Sequence, residues 1–538
     1  MTAEPSSNAE VTVPYSVSAE PMFCHHSPPM AQSPHHQLPR CYPKWRGQPF
    51  YRGNPEGLGW ALDGVARSIQ FIGAGAFLST TLLRLAKEAA GCETEAPEGE
   101  MIPECNETIY GIKPSSLLTT YTMVVGVASS AMLPLIGAVI DYTPHRLAVG
   151  RAVSFLYTVL IFPTIFLNDK TWFAVAVIQV VISVVGWVQT SITYAYLPEL
   201  TTDELLLGEW TKSFTMTQFL SMVLYLAVII GGLTVVGKSG DDVLTSQVAM
   251  IVAFVANATI LPLVWGFLFE KRQPLHSLPG GRSLWTQGFR QLWETSKHIS
   301  KNYRSLKWFY ISVAFSDAGI QTLATVAITY LTDQLQFTAT ENGVAILLML
   351  CGSVPGAWIS NFATRRFDPI RSSMMALVLL ITATALVSIF VTGPGQYLRT
   401  YIMAFFWGTG VGWKWTCDRL TASSVIPEGQ DTELMGVFLF AGQCLSWLPP
   451  LVFTAINEAG VSQRVGVASL NVWLVMSLMG YCIMGNYTTA REQVNRATVF
   501  GNKMSTVTLD VGGAFQSSAN TAKDTHTTNT LTNEMDNL

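Results

Sequence analysis

Six charged residues lie inside long apolar segments, where a charge is costly unless it is paired or has a function. Asp63 and Arg67 stand four residues apart, as do Lys414 and Asp418, and Arg419 follows directly. Residues at positions i and i+4 share one face of a helix. Either each pair only neutralises itself, or these charges line a path for a substrate or a proton.

Asp317, the sixth charge, has no basic residue within one helical turn in the sequence, so a local pair does not explain it. One alternative is a hydrogen bond to the backbone or to Gln321, and the other is a carboxyl that takes up a proton or binds an amine. Three tryptophans either line the transport cavity or serve only for packing or for anchoring at the membrane interface: Trp407, Trp413 and Trp415. The full set of candidate path residues is Asp63, Arg67, Gln189, Tyr194, Asp317, Gln321, Lys414, Asp418 and Arg419.

The composition places these residues in a membrane protein. Of 538 residues, 49% are hydrophobic and only 13% are charged, whereas soluble proteins carry roughly 25% charged residues. The apolar runs are continuous and reach about 20 residues, which favours helices over barrel strands. They predict an all-α membrane protein with twelve transmembrane helices, near 58–87, 116–140, 149–168, 171–197, 213–236, 246–269, 308–332, 342–364, 373–392, 398–424, 434–456 and 465–486.

Two landmarks recur at nearly the same offset. "GAVIDYTPHR" begins at Gly137 and "GAWISNFATRR" begins 219 residues later, while "LPELTTDE" and "IPEGQDTE" stand 229 residues apart. Such internal repetition is common in transporters, which place the substrate between the repeats. We therefore expect a disordered cytosolic tail (1–57), a six-helix bundle (58–269), a basic cytosolic linker (270–307), a second six-helix bundle (308–486) and a disordered cytosolic tail (487–538).

Lysine and arginine favour the cytosolic side of short loops. With a cytosolic N-terminus, the cytosolic loops hold fourteen of these residues and the opposite loops five, so both termini are predicted to be cytosolic. The loop at 88–115 would then face the lumen or the cell exterior. It contains Cys92 and Cys105, a candidate disulfide, and the triplet at Asn106, which is either glycosylated or unmodified.

The pattern Gly137-x-x-x-Asp141, followed by Arg146 and Arg151, resembles the signature loop of the major facilitator superfamily. The glycine is expected to allow close helix approach. Asp141 either forms a gate contact that breaks when the cytosolic face opens, or caps its helix.

The second copy of this motif has Gly356 and Arg365 but places Ser360 where the aspartate would stand. The predicted gate is therefore asymmetric.

Four segments carry a closer resemblance: "GTGVGWKWTCDRLTASSVIPEGQDTELMGVFLFAGQCLSWLPPLVF", "YAYLPEL", "FSDAGIQT" and "IKPSSLLTTYT". They are similar to the autophagy-related vacuolar amino-acid effluxers of the major facilitator superfamily, over residues 58–486. The chain departs from that family in "ALDGVARS" of the first span and "KWTCDRL" of the tenth. The resemblance implies a major facilitator fold and export of amino acids from the vacuole or lysosome to the cytosol, with protons as a natural coupling ion.

Two other functions remain open: movement of another small organic solute across the plasma membrane, and a transport-inactive membrane receptor or scaffold. "GLTVVGKS" at Gly232 to Ser239 satisfies a nucleotide-binding pattern, but it ends an apolar span instead of joining a strand to a helix. We expect no enzymatic activity, cofactor, metal site or nucleic-acid partner. The expected partners are a small-molecule substrate and the lipid bilayer.

Overall fold

The structure is a computed structural model, and it describes residues 55–93, 105, 107–197, 200, 204–238, 240–274, 283–425 and 431–492. In these ranges the chain is helical, and its one β feature is an isolated bridge between Ile109 and Ile112. The expected tails lie outside the described residues, except that residues 55–57 and 487–492 are helical. Asn106 also lies outside them.

Twelve long helices follow one another in the part of the chain that the structure describes. We number them α1 (Pro55–Ala89), α2 (Pro114–Tyr142), α3 (Arg146–Phe166), α4 (Trp172–Tyr196), α5 (Glu204–Val236), α6 (Asp242–Leu268), α7 (Arg304–Asp333), α8 (Ala339–Phe367), α9 (Pro369–Phe390), α10 (Tyr397–Val425), α11 (Asp431–Cys444 with Leu448–Glu458) and α12 (Gln463–Met484). A shorter linker helix, Leu284–Asn302, separates α6 from α7.

Eleven of these helices are long and apolar enough to cross a membrane, by length and composition. The remaining one, α10, has 29 residues and carries the charged cluster at its second half. The predicted all-α membrane fold is thus confirmed, and most span boundaries lie within a few residues of the expected ones. The largest difference arises at α5, which begins at Glu204 and not at 213 because polar residues continue the helix.

Local sequence explains where several helices begin. Asp241 caps α6 by accepting a hydrogen bond from the backbone of Leu244 at 2.9 Å. Thr338 and Glu341 form a reciprocal capping box at α8. Such caps satisfy the first N–H groups of a helix, which have no intrahelical partner.

Two helices are interrupted. In α1 a π-helical turn spans Ala74–Leu78, and the Ser79 hydroxyl donates to the Ala74 carbonyl at 2.9 Å. In α11 the helix breaks between Cys444 and Leu448, just before two consecutive prolines. Breaks of this kind leave backbone N–H and C=O groups without the hydrogen bonds that a regular helix would provide.

Each half of the chain has its own buried core. One cluster is drawn from α7 to α12 and the linker helix, and the other almost wholly from α1 to α6. We call the side that carries the Cys92–Cys105 disulfide the disulfide face, and the side that carries the linker helix the linker face. The topology predicted from lysine and arginine makes these the lumenal and cytosolic faces respectively.

Candidate transport path and gates

Asp63 of α1 is fully buried and accepts four hydrogen bonds. Its Oδ2 receives Arg67 Nε and Thr193 Oγ1, each at 2.8 Å, and its Oδ1 receives Gln189 Nε2 and Trp265 Nε1, each at 2.9 Å. A buried carboxylate is tolerated only when it is paired and hydrogen-bonded in this way. The contacts support the alternative in which Asp63 and Arg67 neutralise each other.

The same network extends to two more side chains. Arg67 Nη1 donates to Thr190 Oγ1 at 2.6 Å, and Gln189 Nε2 donates to Ser154 Oγ at 2.7 Å. Together the contacts join α1, α3, α4 and α6 around one ion pair.

Lys414 and Asp418 of α10 form the corresponding buried pair in the second half, with exposed fractions of 0% and 2%. Lys414 Nζ also donates to Ser316 Oγ and to Tyr481 Oη, each at 3.2 Å. Asp418 Oδ1 accepts from Tyr481 Oη at 2.7 Å and from Ser373 Oγ at 3.3 Å. This network joins α7, α9, α10 and α12.

The two networks therefore use the first, third, fourth and sixth helices of their respective six-helix halves. The two halves thus link corresponding helices, but their charges occupy different positions. The buried carboxylate is on the first helix in the first half and on the fourth helix in the second half. Breaking either network would leave a charge in a low-dielectric interior, which costs several kcal/mol. Each half is thus held as a unit.

Asp317 has a different environment. Its Oδ1 accepts a 3.3 Å hydrogen bond from Trp415 Nε1, and its Oδ2 lies beside Gly442, where an added Cβ would approach it to 2.9 Å. Gln321 Nε2 bonds the Gly442 carbonyl at 3.2 Å rather than Asp317. Within the described ranges no Lys or Arg forms an ion pair with Asp317. The bond to Gln321, one of the alternatives that the sequence left open, is not formed among the described contacts of Asp317.

Arg419 and Tyr194 lie apart from both networks. Arg419 donates to the hydroxyl of Thr215, which links α10 to α5 across the two halves. Tyr194 packs edge-on against the Trp60 ring at a centroid distance of 5.3 Å. Of the nine candidate path residues, five thus belong to the two networks, and the other four lie outside them: Tyr194, Asp317, Gln321 and Arg419.

The expectation of close helix approach is wrong at Gly137. A Cβ built on Gly137 would meet no atom within 4 Å, whereas one on Gly356 would lie 2.1 Å from the Thr409 carbonyl oxygen. The reason is that α8 crosses α10 at its glycine, while the glycine of α2 faces open space. Ser360, at the position of the missing aspartate, is buried and lies 3.1 Å from the Cys417 sulfur.

The arginines of the first motif bind within their own half. Arg151 Nε donates to the Trp265 carbonyl at 2.7 Å. Arg146 is buried, donates to the Ala195 carbonyl at 3.3 Å and lies over the Tyr196 ring. Arg365 of the second copy is exposed. These contacts fasten α3 to α4 and α6, and a gate role for Asp141, at the end of α2, stays a prediction.

Three glycines missed in the sequence analysis fasten α10 to α8 together with Gly356. An added Cβ would lie 2.2 Å from Phe405 O at Gly352, 1.7 Å from Met349 O at Gly408 and 2.2 Å from Ser353 O at Gly412, besides the contact of Gly356. The signal was present, because both helices contain Gly-x-x-x-Gly, a pattern that lets backbones approach closely. The charged residues of α10 are positioned by this contact.

Polar contacts join the halves at the disulfide face. Lys87 of α1 pairs with Asp333 of α7 at 2.6 Å. Asp242 of α6 pairs with Arg84 at 2.8 Å and accepts the backbone N–H of Ala339 of α8 at 2.8 Å. Charged residues at span ends are common, so no sequence pattern distinguishes the residues that join the halves from other charged residues at span ends.

A second set of contacts lies on the same face between α2 and α11. The Lys113 backbone donates to Glu458 at 2.9 Å, and Asn457 Nδ2 donates to Ser115 and Ser116 at 2.7 Å each. The structure is therefore closed between its halves at the disulfide face. The disulfide itself joins Cys92 to Cys105 in the loop beyond α1.

The described residues 232–238 of the nucleotide-like "GLTVVGKS" do not form a phosphate-binding loop. Residues Gly232 to Val236 are the last turns of α5, and Gly237 ends the helix with φ +72°. A phosphate loop requires a preceding strand and a following helix that starts at the motif.

In the described ranges, twelve helices in two linked halves, with charges buried among them, have the architecture of an integral membrane protein of the major facilitator fold. The sequence profile of the vacuole effluxer Atg22-like family matches residues 53–213 and 211–494. The chain belongs to that family and is therefore a membrane transporter and not an enzyme.

One curated relative is autophagy-related protein 22 of Yarrowia lipolytica, 24% identical over 219 residues. That match spans 40% of this chain and 37% of the relative. Solved structures with the same fold include a mutant form of the nucleoside transporter NupG (TM-score 0.55, 13% identity, 80% of this chain and 100% of that one) and the human organic anion transporter MFSD10 (TM-score 0.53, 14% identity, 80% and 98%). The inward-open xylose transporter XylE from E. coli also matches (TM-score 0.51, 12% identity, 80% and 95%).

Proposed function

We propose that the protein is a secondary transporter that moves amino acids from the lumen of a vacuole or lysosome to the cytosol by alternating access. The observation that carries this proposal is Asp317. It lies near the middle of α7 and has a hydrogen bond to Trp415 but, among the described residues, no ion pair. A carboxylate at that depth needs a proton or a cationic group to be stable, and a substrate ammonium supplies one.

Arg419 provides the complementary charge. It stands four residues after Trp415, which places the two on one face of α10 and about 6 Å apart along the helix axis. A guanidinium binds carboxylates well because its donors match their geometry. An amino acid carries both an ammonium and a carboxylate, so Asp317 and Arg419 together suit a zwitterion.

The direction of transport is proposed from the family, whose description is vacuole effluxer. Alternating access requires a state that is closed at one face, and the closed disulfide face fits such a state. With the linker face in the cytosol, as the distribution of lysine and arginine predicts, the contacts at Asp242, Asp333 and Asn457 would close the lumenal side.

The test is amino-acid efflux from vacuoles of cells that lack the protein and then express variants at matched abundance. Asp317→Asn keeps the shape but cannot ionise, so flux should fall and its dependence on lumenal pH should flatten. Arg419→Gln should raise the substrate concentration needed for half-maximal flux. Lys238→Ala, in the nucleotide-like segment, is the matched control and should transport normally.

Curves of flux against lumenal pH that superimpose for wild type and Asp317→Asn would remove Asp317 from the mechanism. Wild-type vacuoles that export no amino acid faster than vacuoles without the protein would refute the proposed substrate.

A further inference from the structure

The linker helix has one face buried against the membrane-spanning helices. Gln287, Gly288, Thr295 and Ile299 are its buried residues. Gln287 Nε2 donates to Tyr142 Oη at 3.1 Å. An added Cβ on Gly288 would lie 1.9 Å from the Pro134 carbonyl, so the two helices touch through their backbones.

This contact sets the depth of the linker helix relative to the bilayer. Pro134 precedes the end of α2 at Tyr142 by eight residues, or about 12 Å at 1.5 Å per residue. The linker helix therefore lies beside the last turns of a membrane-spanning helix and not beyond them. Its C-terminal end at Asn302 is joined directly to the first turn of α7, which begins at Arg304.

A second face of the linker helix carries three exposed aromatic residues, which we call the aromatic stripe. Trp285, Phe289 and Trp293 have exposed fractions of 73%, 47% and 72%. Their spacing of four residues places them on one side of the helix. Tryptophan at the end of a membrane span is typical of the interface between headgroups and acyl chains.

A third face is basic. Arg290, Lys297 and Lys301 are exposed and recur at intervals of seven and four residues. Arg290 pairs with Glu294 at 2.7 Å, and the other two basic side chains leave this face with a net positive charge. An amphipathic helix with aromatic residues on one side and lysine or arginine on the adjoining side lies in the plane of an anionic membrane surface.

We propose that the linker helix is a lipid-binding element, with the aromatic stripe inserted at the interface of the adjoining leaflet and the basic face bound to the headgroups of anionic phospholipids. The depth set by Gly288 and Pro134 places the stripe where lipid is available. The charge of the basic face selects anionic over zwitterionic lipid. The proposal does not depend on the transported substrate.

The position of the aromatic stripe is tested by photo-crosslinking. Benzoylphenylalanine in place of Phe289 should give an adduct of the full-length chain with phospholipid in reconstituted vesicles. The control position is His298, which lines a polar cavity of about 400 Å³ with Gln291 and Tyr142. Lipid adducts at 289 that are no more frequent than at 298, or adducts with a protein instead, would overturn the proposal.

The basic face is tested by titrating detergent-solubilised protein with a short-chain phosphatidylserine or phosphatidylcholine and following the rise in denaturation temperature. Each basic residue near an anionic surface contributes roughly fivefold in affinity, so Arg290→Gln/Lys297→Gln/Lys301→Gln should weaken phosphatidylserine binding by up to about 100-fold. Phosphatidylcholine binding should not change.

The matched control is Arg365→Gln/Arg366→Gln, which removes exposed basic residues from the end of α8. It should bind phosphatidylserine like wild type. Equal affinity of wild type and the triple variant would refute the role of the basic face. An equal loss in the control would show only an unspecific effect of net charge and would refute it as well.

Discussion

Replacing Gly356 by alanine tests the close contact between α8 and α10, and the chain supplies its own control. Gly137 occupies the same place in the other copy of the repeated motif and is also helical. A Cβ on Gly356 would lie 2.1 Å from the Thr409 carbonyl oxygen, whereas one on Gly137 would contact nothing within 4 Å. The same substitution should therefore have different consequences at the two sites.

The comparison isolates the cost of the clash. Both substitutions gain the helix propensity of alanine over glycine, about 0.8–1 kcal/mol, so this contribution cancels in the difference. At Gly356 a carbon atom must be accommodated against a backbone carbonyl that cannot rotate away, and α8 and α10 must separate. Overpacking of this kind costs about 1–3 kcal/mol. For a six-helix half this corresponds to roughly 2–12 °C in denaturation temperature.

The assay is thermal denaturation of Gly356→Ala, Gly137→Ala and wild type in the same detergent, read as loss of the monodisperse peak on size-exclusion chromatography. Gly137→Ala should match wild type or exceed it slightly. Gly356→Ala should denature at a lower temperature and, because α10 carries Lys414 and Arg419, should also transport more slowly. Equal denaturation temperatures for the two variants would refute the close approach of α8 and α10.

Two further predictions concern buried and interfacial carboxylates. Asp418→Ala should destabilise the protein by about 3–5 kcal/mol because it leaves the buried Lys414 without its counter-ion. The double variant Lys414→Met/Asp418→Ala should recover most of this loss. Denaturation temperatures measure the stability of both variants, and equal losses of stability in the two would contradict the pairing. Asp141→Asn should slow transport at normal abundance if the carboxylate forms a gate contact, whereas normal turnover would reduce Asp141 to a helix cap.

The membrane fold could be predicted from the sequence because its cause is local. A run of about 20 apolar residues must form a helix in lipid, where each backbone group needs a partner within its own segment. Among the twelve long helices described, only α10 has too low a mean hydropathy for a typical span, since Lys414, Asp418 and Arg419 reduce it. It can still be predicted as a span, because the topology requires one between α9 and α11.

The arrangement of the site could be predicted only in part. Asp63 with Arg67 and Lys414 with Asp418 were recognisable as pairs because i,i+4 spacing is a property of one helix. Their partners on other helices, such as Trp265 and Tyr481, depend on how the helices pack. The periodicity of one helix does not reveal how it packs against others. The prediction at Gly137 was wrong for the same reason, because the motif is visible in the sequence but the distance to the neighbouring helix is not.

The positions of the charges indicate which parts of the molecule move. The networks around Asp63 and Asp418 lie within single halves. Opening either would leave an unpaired charge in the protein interior, so the proposed alternating access must preserve them. The contacts of Asp333 and Asn457 lie at helix ends between the halves, where water can replace each lost hydrogen bond at small net cost. Movement between two rigid halves is therefore the least costly transition. Asp317 and Arg419 lie outside both networks, and Arg419 reaches α5 in the opposite half. A bound zwitterion at these two residues would alter a contact between the halves without disturbing the networks that hold each half together.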